Sequence, residues 1–365
     1  MKKQYFMMAI AATMFAACSQ NEIVDEVVES TPKAIGFTTY AEGQTRAENS
    51  TGNYTWALQD HHKTFKVWAY KNVADAKVFD GDVVSYADSK WGYTNTRYWD
   101  KAASWYEFYA AAPENFDWVL HENTTNKADD YFTLDGYELK GDNYNNKYGF
   151  TEYTNTFKDL PHDVDLMIAD KKKVDNFNNN VQLDFIHILS RLNITIRKGS
   201  SINTNDIVNL VKLDVVNLKN IGDFNENNIV GTLKDGIISR WTRENNYTTI
   251  TYNCGEEVKT DAKYAVQALV IPQNADASTV YLDGSNITTD SKPYIRIEYT
   301  ITPNGGYAET FVAYYNLATA FNESEKLAFN EGWENQLNIT ILPTTIKFDA
   351  KVAEWGLNNK DLPIE

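Results

Sequence analysis

Apolar and polar side chains alternate with a period of two along most of the chain beyond residue 32. The clearest alternating runs lie at 35–39, 65–69, 183–196, 210–218, 295–299, 337–341 and 346–352. Successive side chains of a β-strand point to opposite faces, so this period is typical of half-buried strands. Long apolar stripes of helical period are absent from the sequence. The pattern therefore predicts an all-β protein.

The length of the chain and one polar interruption predict two domains. The chain has 365 residues, and a strand-like run ends at Lys198, where Gly199 and a polar stretch begin. Each half is long enough to bury most of its unfolded surface in a core of its own. We therefore expect one β-sandwich at 33–199 and a second at 200–365.

The first eighteen residues are typical of a lipoprotein signal peptide. Two lysines precede an apolar run at 5–17, which is shorter than the roughly 20 residues that a membrane-spanning helix needs. Cys18 follows two alanines, and its thiol can carry a diacylglycerol. We expect removal of residues 1–17, acylation of Cys18, and a flexible polar tether at 18–32 that holds the protein at a membrane.

Charge and cysteine content exclude several classes of protein. The net charge is -16, and no basic stripe is available to neutralise the phosphates of a nucleic acid. The one basic run, at 171–173, is expected in a solvated turn. Cys254 is the only other cysteine, so no intramolecular disulfide is expected once Cys18 is acylated. Stability must then come from burial of apolar side chains.

The sequence contains no arrangement typical of a catalytic or metal centre. Motifs such as HExxH, GxSxG and the phosphate-binding glycine loop are missing from it. His187 and Ser190 would point to opposite faces of one strand, and we expect His187 to be a core histidine. Asp163 and Asp165 lack the glycine-punctuated loop of a calcium site. We expect no enzyme activity, no cofactor and no metal.

Tryptophans keep a second class of function open, that of a surface glycan-binding lipoprotein. Such a protein would use exposed aromatic rings as platforms for sugars. The candidates are Trp56, Trp91, Trp105, Trp118 and Trp241. Most of them are expected in the core instead, because large aromatic side chains are rarely left in solvent.

A series of motifs that covers nearly the whole chain resembles one known family. In order, the motifs are Trp91, Tyr98-Trp99, Tyr106 to Ala110 with Pro113, Asp165 to Ala169, Val181 to Ile194, Val270 to Gln273, Gly332-Trp333, Leu337 to Ile341, Val352 and Trp355. Their order and spacing are similar to those of the fimbrillins, the subunits of type V pili. The resemblance implies two transthyretin-like β-sandwich domains and a building block of fimbriae that is exported to the cell outer membrane.

The same resemblance implies a route of processing. In the fimbrillins an arginine-specific protease removes the N-terminal strand, and a strand of a neighbouring subunit fills the groove. Here the removable segment is 33–46, whose strand contains Ile35, Phe37 and Thr39. Cleavage is expected between Arg46 and Ala47, which lie in a polar, glycine-containing stretch.

A run near the C-terminus has the alternation that a donated strand needs. Its candidate inward-facing residues are Ile346, Phe348, Ala350 and Val352. The alternative is that 346–355 closes the second domain of its own chain. The first arrangement implies a stalk subunit and the second a tip subunit, and both stay open. The expected partners are other fimbrial subunits, the protease, and a ligand on a host or bacterial surface.

Overall fold

The regular secondary structure of the described chain is almost entirely β-strand. The computed structural model describes residues 32–42, 58–73, 77–123, 130–139, 144–145, 164–227, 240–243, 247–274, 293–317, 328–343 and 346–354. One short helix, α1 (Leu58–His61), lies among the strands. Lys33–Glu365 is a single compact unit. None of the described residues forms a helix that is long and apolar enough to cross a bilayer. The prediction of an all-β protein is confirmed.

Residues 37–198 contribute eleven described strands. They are β1 (Phe37–Glu42), β2 (Thr64–Lys71), β3 (Lys77–Ala87), β4 (Lys90–Tyr93), β5 (Tyr106–Ala112), β6 (Val119–His121), β7 (Tyr131–Glu138), β8 (Tyr144–Asn145), β9 (Met167–Val174), β10 (Val181–His187) and β11 (Ser190–Lys198).

Eleven more described strands follow. They are β12 (Ile207–Lys219), β13 (Ile221–Asn225), β14 (Trp241–Arg243), β15 (Tyr247–Glu257), β16 (Lys263–Val270), β17 (Gln273–Asn274), β18 (Tyr294–Thr302), β19 (Glu309–Asn316), β20 (Ala328–Phe329), β21 (Trp333–Ile341) and β22 (Ile346–Glu354).

The first large sheet has seven strands in the order β1-β10-β9-β5-β2-β3-β4. Within it β1 runs parallel to β10, and the other neighbours are antiparallel. One face covers an aromatic core, which we call the first cluster. Its fully buried rings include Phe65, Phe79, Phe108 and Phe185. Packing of these large side chains gives the sheet most of its stabilisation.

Two further sheets pack face to face as a sandwich. The five-stranded sheet has the order β19-β18-β12-β15-β8, and the four-stranded sheet has the order β16-β11-β21-β22. Alternate aliphatic residues of both sheets fill the space between them and form the second cluster, with Ile194, Leu213, Ile297 and Ile339 fully buried. This inward alternation is the feature that the sequence pattern detects.

A third cluster lies in a part of the fold that both halves of the chain build. A four-stranded sheet has the order β14-β13-β7-β6, so it joins strands from before and after residue 199. Trp241 is fully buried here, and its Nε1 donates a hydrogen bond of 2.8 Å to the Ile188 carbonyl. Phe132 and Phe224 pack in the same cluster.

The alternating run at 183–196 forms two strands instead of one. β10 ends at His187 and β11 begins at Ser190, and the two strands belong to different sheets. β11 pairs with β16 and with β21, both from the second half of the chain. A period-two pattern does not reveal such a change of sheet, because the apolar residues on both sides of the break are buried. The division into domains at 199 stays a prediction.

The basic run at 171–173 lies in a strand, and the prediction of a solvated turn is wrong. All three lysines belong to β9 and have partners on its surface. Lys171 lies 3.5 Å from Glu107, Lys172 lies 3.7 Å from Asp184, and the Lys173 ammonium lies 4.8 Å from the centre of the Trp105 ring. These acidic and aromatic neighbours offset the repulsion among the three positive charges, so the strand can contain three successive lysines.

Candidate functional site

The first strand occupies one edge of the seven-stranded sheet. β1 pairs with β10 from Phe37 opposite Val181 to Glu42 opposite Ile186. Just before β1, the Val181 amide donates a hydrogen bond of 2.8 Å to the Gly36 carbonyl. A side chain at Gly36 would bring its Cβ within 2.5 Å of Asn180 Oδ1, so the Asn180 side chain would have to move to accommodate it.

The residues that precede β1 pair with residues 97–99, which follow β4 and lie outside the named strands. The Ile35 amide donates to the Arg97 carbonyl at 2.9 Å, and the Trp99 amide donates to the Lys33 carbonyl at 3.0 Å. The Tyr93 hydroxyl donates to the Ile35 carbonyl at 2.7 Å. Tyr93 ends β4, the strand at the opposite edge of the sheet. Segment 33–42 therefore pairs with β10 at one edge of the sheet and contacts β4 at the other through the Tyr93 hydroxyl.

Phe37 places an aromatic ring in the middle of the first cluster. Its ring makes edge-on contacts with four others, at centroid distances of 6.0 Å to Phe65, 5.6 Å to Phe79, 5.8 Å to Tyr93 and 6.0 Å to Phe108. These contacts explain why only 4% of Phe37 is exposed. Burial of such a side chain stabilises the folded state by about 1.5 to 3 kcal/mol.

Ile35 and Thr39 share the burial of Phe37, as the alternating pattern predicts for one face of a strand. They are 2% and 7% exposed. The Thr39 hydroxyl is buried without a hydrogen-bond partner in the described part of the chain. A buried hydroxyl that makes no hydrogen bond costs about 1 to 3 kcal/mol. The strand thus packs through its apolar residues while Thr39 weakens its attachment.

The predicted processing sites lie outside the described residues. The described part of β1 ends at Glu42 and the chain resumes at Leu58, so Arg46 and Ala47 fall between them. Cys18 also lies outside the description. Lipidation at Cys18 and cleavage after Arg46 stay predictions.

The candidate donor strand pairs within its own chain. β22 runs antiparallel to β21 over nine positions, from Ile346 opposite Ile341 to Glu354 opposite Trp333. It is an edge strand of its sheet, and Ile346 packs against the second cluster. Phe348, Ala350 and Val352 follow at alternate positions of the same strand. Whether the strand is exchanged between subunits stays a prediction.

His187 and Ser190 do not act on each other in the described structure. The His187 Nδ1 lies 2.7 Å from Asp165 Oδ2, and both side chains are buried. The Ser190 hydroxyl donates to the Trp333 carbonyl at 3.0 Å. The two residues lie at the end of β10 and the start of β11, so the interpretation that places them on one strand is wrong.

Sequence reasoning missed His62 as a neighbour of this buried pair. Burial lowers the pKa of the His62 imidazole, and His187 acts in the same direction, whereas Asp165 and Glu114 oppose it. Its Nε2 is buried without a hydrogen-bond partner among the described residues. Within the described ranges, no group of three or more histidine, cysteine, aspartate or glutamate side chains has the geometry to hold a metal ion.

The tryptophans proposed as sugar platforms are partly or fully buried where the structure describes them. Trp118 and Trp241 are 5% and 0% exposed. Trp91 and Trp105 are half-buried, and the Lys173 ammonium lies over the Trp105 ring. Trp56 lies outside the described residues. The described tryptophans thus pack mainly against protein, as expected for core residues.

The chain is similar in sequence to proteins of one family. The model of the fimbrillin-like family matches residues 45–355. Over 227 residues the chain is 27% identical to the fimbrium subunit Fim1C of Phocaeicola vulgatus, and the match covers 59% of this chain and 57% of that protein. The match therefore spans less than two thirds of that relative's length.

Similarity of fold points in the same direction. The crystal structure of a fimbrial protein from Bacteroides vulgatus superposes with a TM-score of 0.54 at 16% sequence identity. The superposition covers 88% of this chain and 99% of that one. Because the family model spans most of the sequence, we conclude that the chain belongs to the fimbrillin-like family.

Proposed function

We propose that the protein is a structural subunit of cell-surface fimbriae that assembles by donor-strand exchange and serves adhesion. The observation that carries the proposal is the position of segment 33–42, which pairs through its backbone with β10 and with residues 97–99 and buries Phe37 in the first cluster. Membership of the fimbrillin-like family supports the structural role. In this proposal the chain forms two transthyretin-like sandwiches. The protein acts by assembling with other subunits and not by catalysis.

Processing of the N-terminus starts the proposed assembly. Export would use residues 1–17 and attach a lipid at Cys18, which holds the subunit at the cell outer membrane. An arginine-specific protease would then cut between Arg46 and Ala47. The cut would remove Ile35 and Phe37 from the first cluster and leave the edge of β10 without its parallel partner. An uncovered edge of this kind is a template for another strand.

A strand of a neighbouring subunit would fill the groove. Strand addition combines backbone hydrogen bonds with pockets for alternate side chains. The candidate donor is β22, an edge strand of its own sheet whose release would break its pairing with one described neighbour, β21. Donation of β22 would make the protein a stalk subunit, and retention of β22 would make it a tip subunit. A surface ligand of a host or another bacterium would bind to exposed loops.

The N-terminus of the protein on native cells tests the processing step. We expect mass spectrometry of assembled fimbriae to find a subunit that begins at Ala47 and carries no lipid. The variant Arg46→Ala should accumulate as a lipidated monomer, whereas the neighbouring variant Glu48→Ala should assemble normally. Polymer of normal length from Arg46→Ala would show that cleavage at this residue is not required.

A further inference from the structure

We propose that two copies of this chain associate through β19, whose outer edges pair antiparallel to form one continuous sheet. β19 is the last strand of the five-stranded sheet, and none of the described strands pairs with its outer edge. Its pairing with β18 runs over eight consecutive positions without a bulge. The backbone groups on the outer side therefore form a regular row that can accept another strand.

The sequence of β19 lacks the features that usually protect an edge strand. Between Thr310 and Asn316 there is no charged residue, no proline and no glycine. Natural edges are commonly blocked by lysine, proline or a bulge, which prevent pairing with another chain. Val312 is 45% exposed on the outer face of the strand. A strand of this composition is well suited to strand pairing.

Several other described edges are short or charged. β4, β6, β8 and β14 have four residues or fewer. β22 carries Lys347 and Lys351. The edge strands β1 and β16 also have uncharged runs, at 37–41 and 264–270, but their described side chains are mostly buried. Residues 310–316 of β19 combine length, lack of charge and the partial exposure of Val312.

The aromatic residues of β19 define the register of the contact. Phe311 and Tyr315 lie on the core face, because they pair with the buried Tyr299 and Ile295, and both are only partly buried. The Phe311 ring stacks on Tyr299 at 5.2 Å, which fixes its position. An added strand would cover the sides of these two rings that the sheet leaves open.

The strand is complementary to itself when Ala313 faces Ala313 of the second copy. In that register Phe311 of one copy faces Tyr315 of the other on the core side, and Val312 faces Tyr314 on the outer side. The two-fold symmetry makes each of these pairs occur twice. Pairs of an aromatic residue with another aromatic or β-branched residue are favourable between strands. Glu309 stays outside the paired residues 310–316, so no like charges meet. These matches favour a second copy as the occupant of the edge.

A two-fold contact of this type has a clear consequence for assembly. The same surface is used on both copies, so the contact closes on itself and cannot extend a filament. It goes beyond the proposed function, since donor-strand exchange would lengthen a fimbria whereas β19 would join two subunits, or two fimbriae, side by side.

Disulfide crosslinking tests both the contact and its register. In the full chain with Cys18→Ser and Cys254→Ser, the variant Ala313→Cys places two thiols at opposite positions, where Cα atoms are about 4.5 to 5.5 Å apart. The matched variant Val312→Cys places them diagonally, at about 7 to 8 Å, near or beyond the limit for a disulfide. We expect covalent dimers from the first variant and about tenfold fewer from the second.

A non-covalent measurement completes the test. Sedimentation of the purified chain should show a monomer–dimer equilibrium, and Val312→Lys should weaken the dimer by at least about tenfold with an unchanged melting temperature, because lysine protects edges. Equal crosslinking of both cysteine variants, no crosslinking of Ala313→Cys, or dimers that Val312→Lys does not affect would overturn the proposal. None of these outcomes depends on cleavage at Arg46, so failure here is separate from failure of the proposed function.

Discussion

Phe37 is the side chain that attaches the first strand to the rest of the protein. Its four edge-on contacts connect β1 to β2, β3, β4 and β5 of the same sheet. We expect Phe37→Ala to lower the free energy of unfolding of the uncleaved chain by about 3 to 5 kcal/mol, because it leaves a cavity in the first cluster. Chemical denaturation measures the change.

The neighbouring residue provides the control for Phe37. Thr38 lies on the same strand but is exposed, so Thr38→Ala should change the stability by no more than about 0.5 kcal/mol. If cleavage removes 33–46, Phe37→Ala should have no effect on finished fimbriae. An equal loss of stability in cleaved and uncleaved protein would contradict the removal of this strand.

His62 predicts a dependence of stability on pH. Burial lowers the pKa of its imidazole below the ordinary 6.5. The unfolded chain therefore binds a proton at a higher pH than the folded chain does, and stability falls as the pH drops through about 6.5 toward the folded pKa. We expect His62→Gln to lose less stability than the natural chain between about pH 7 and pH 5. Parallel pH profiles for the two chains would contradict this assignment.

At the scale of elements, β11 and β21 are joined by a buried polar network as well as by their backbones. Arg191 Nη1 lies 3.6 Å from Glu334 Oε2, and the Asn193 amide donates to Glu334 Oε1 at 2.5 Å. All three residues are at most 2% exposed. Removal of one partner of a buried ion pair leaves the other charge without compensation, which is strongly unfavourable.

The network predicts different effects for two glutamates. Glu334→Ala should lower the free energy of unfolding by about 3 to 5 kcal/mol. Glu298→Ala, which breaks the more exposed pair with Arg296, should cost less than about 1 kcal/mol. Thermal or chemical denaturation of both variants measures the difference. Similar small effects would show that the Arg191 charge finds another partner when Glu334 is absent.

β11 also shows what the sequence could and could not predict. The period of two predicts correctly that Leu192, Ile194 and Ile196 face a core. It does not predict that Arg191 and Asn193 on the opposite face are buried as well. A polar residue in an alternating pattern is expected in solvent, and only tertiary packing that the pattern does not contain determines that both faces are covered.

The first strand follows the same rule. Alternation predicts a strand at Ile35, Phe37 and Thr39; the structure begins β1 at Phe37 and buries all three residues. Its partners were not predictable, because pairing with β10 and with 97–99 joins residues far apart in the sequence. Tyr98-Trp99 resembles a family motif, but the alternating pattern does not indicate that the Trp99 amide donates a hydrogen bond to the Lys33 carbonyl.

β22 has one described neighbour, and this makes its exchange testable. If β22 is donated, Phe348→Asp should leave the monomer folded and prevent polymerisation, because the charge is desolvated only when the strand enters a groove. The matched variant Asp349→Asn alters the adjacent residue of the strand and should polymerise. A large fall in the melting temperature of the Phe348→Asp monomer would indicate that β22 closes its own sheet instead.

At the scale of the whole molecule, the first strand packs in one of the clusters. Segment 33–42 contributes Ile35 and Phe37 to the first cluster only. The second cluster, between β11, β16 and β21 on one side and β12 and β18 on the other, contains none of residues 33–39, whose side chains the structure describes. We therefore expect loss of the strand to weaken one core and to leave the sandwich of the second cluster intact.

This separation supports a last prediction about the whole chain. We expect a cut after Arg46 by an arginine-specific protease in vitro to lower the melting temperature and to create a binding site for a peptide of residues 346–354. The uncut chain should bind the peptide at least about tenfold more weakly, because β1 occupies the site. A peptide with Phe348→Asp is the matched control and should bind weakly to both. Equal binding of the natural peptide to cut and uncut protein would mean that β1 does not cover the acceptor groove.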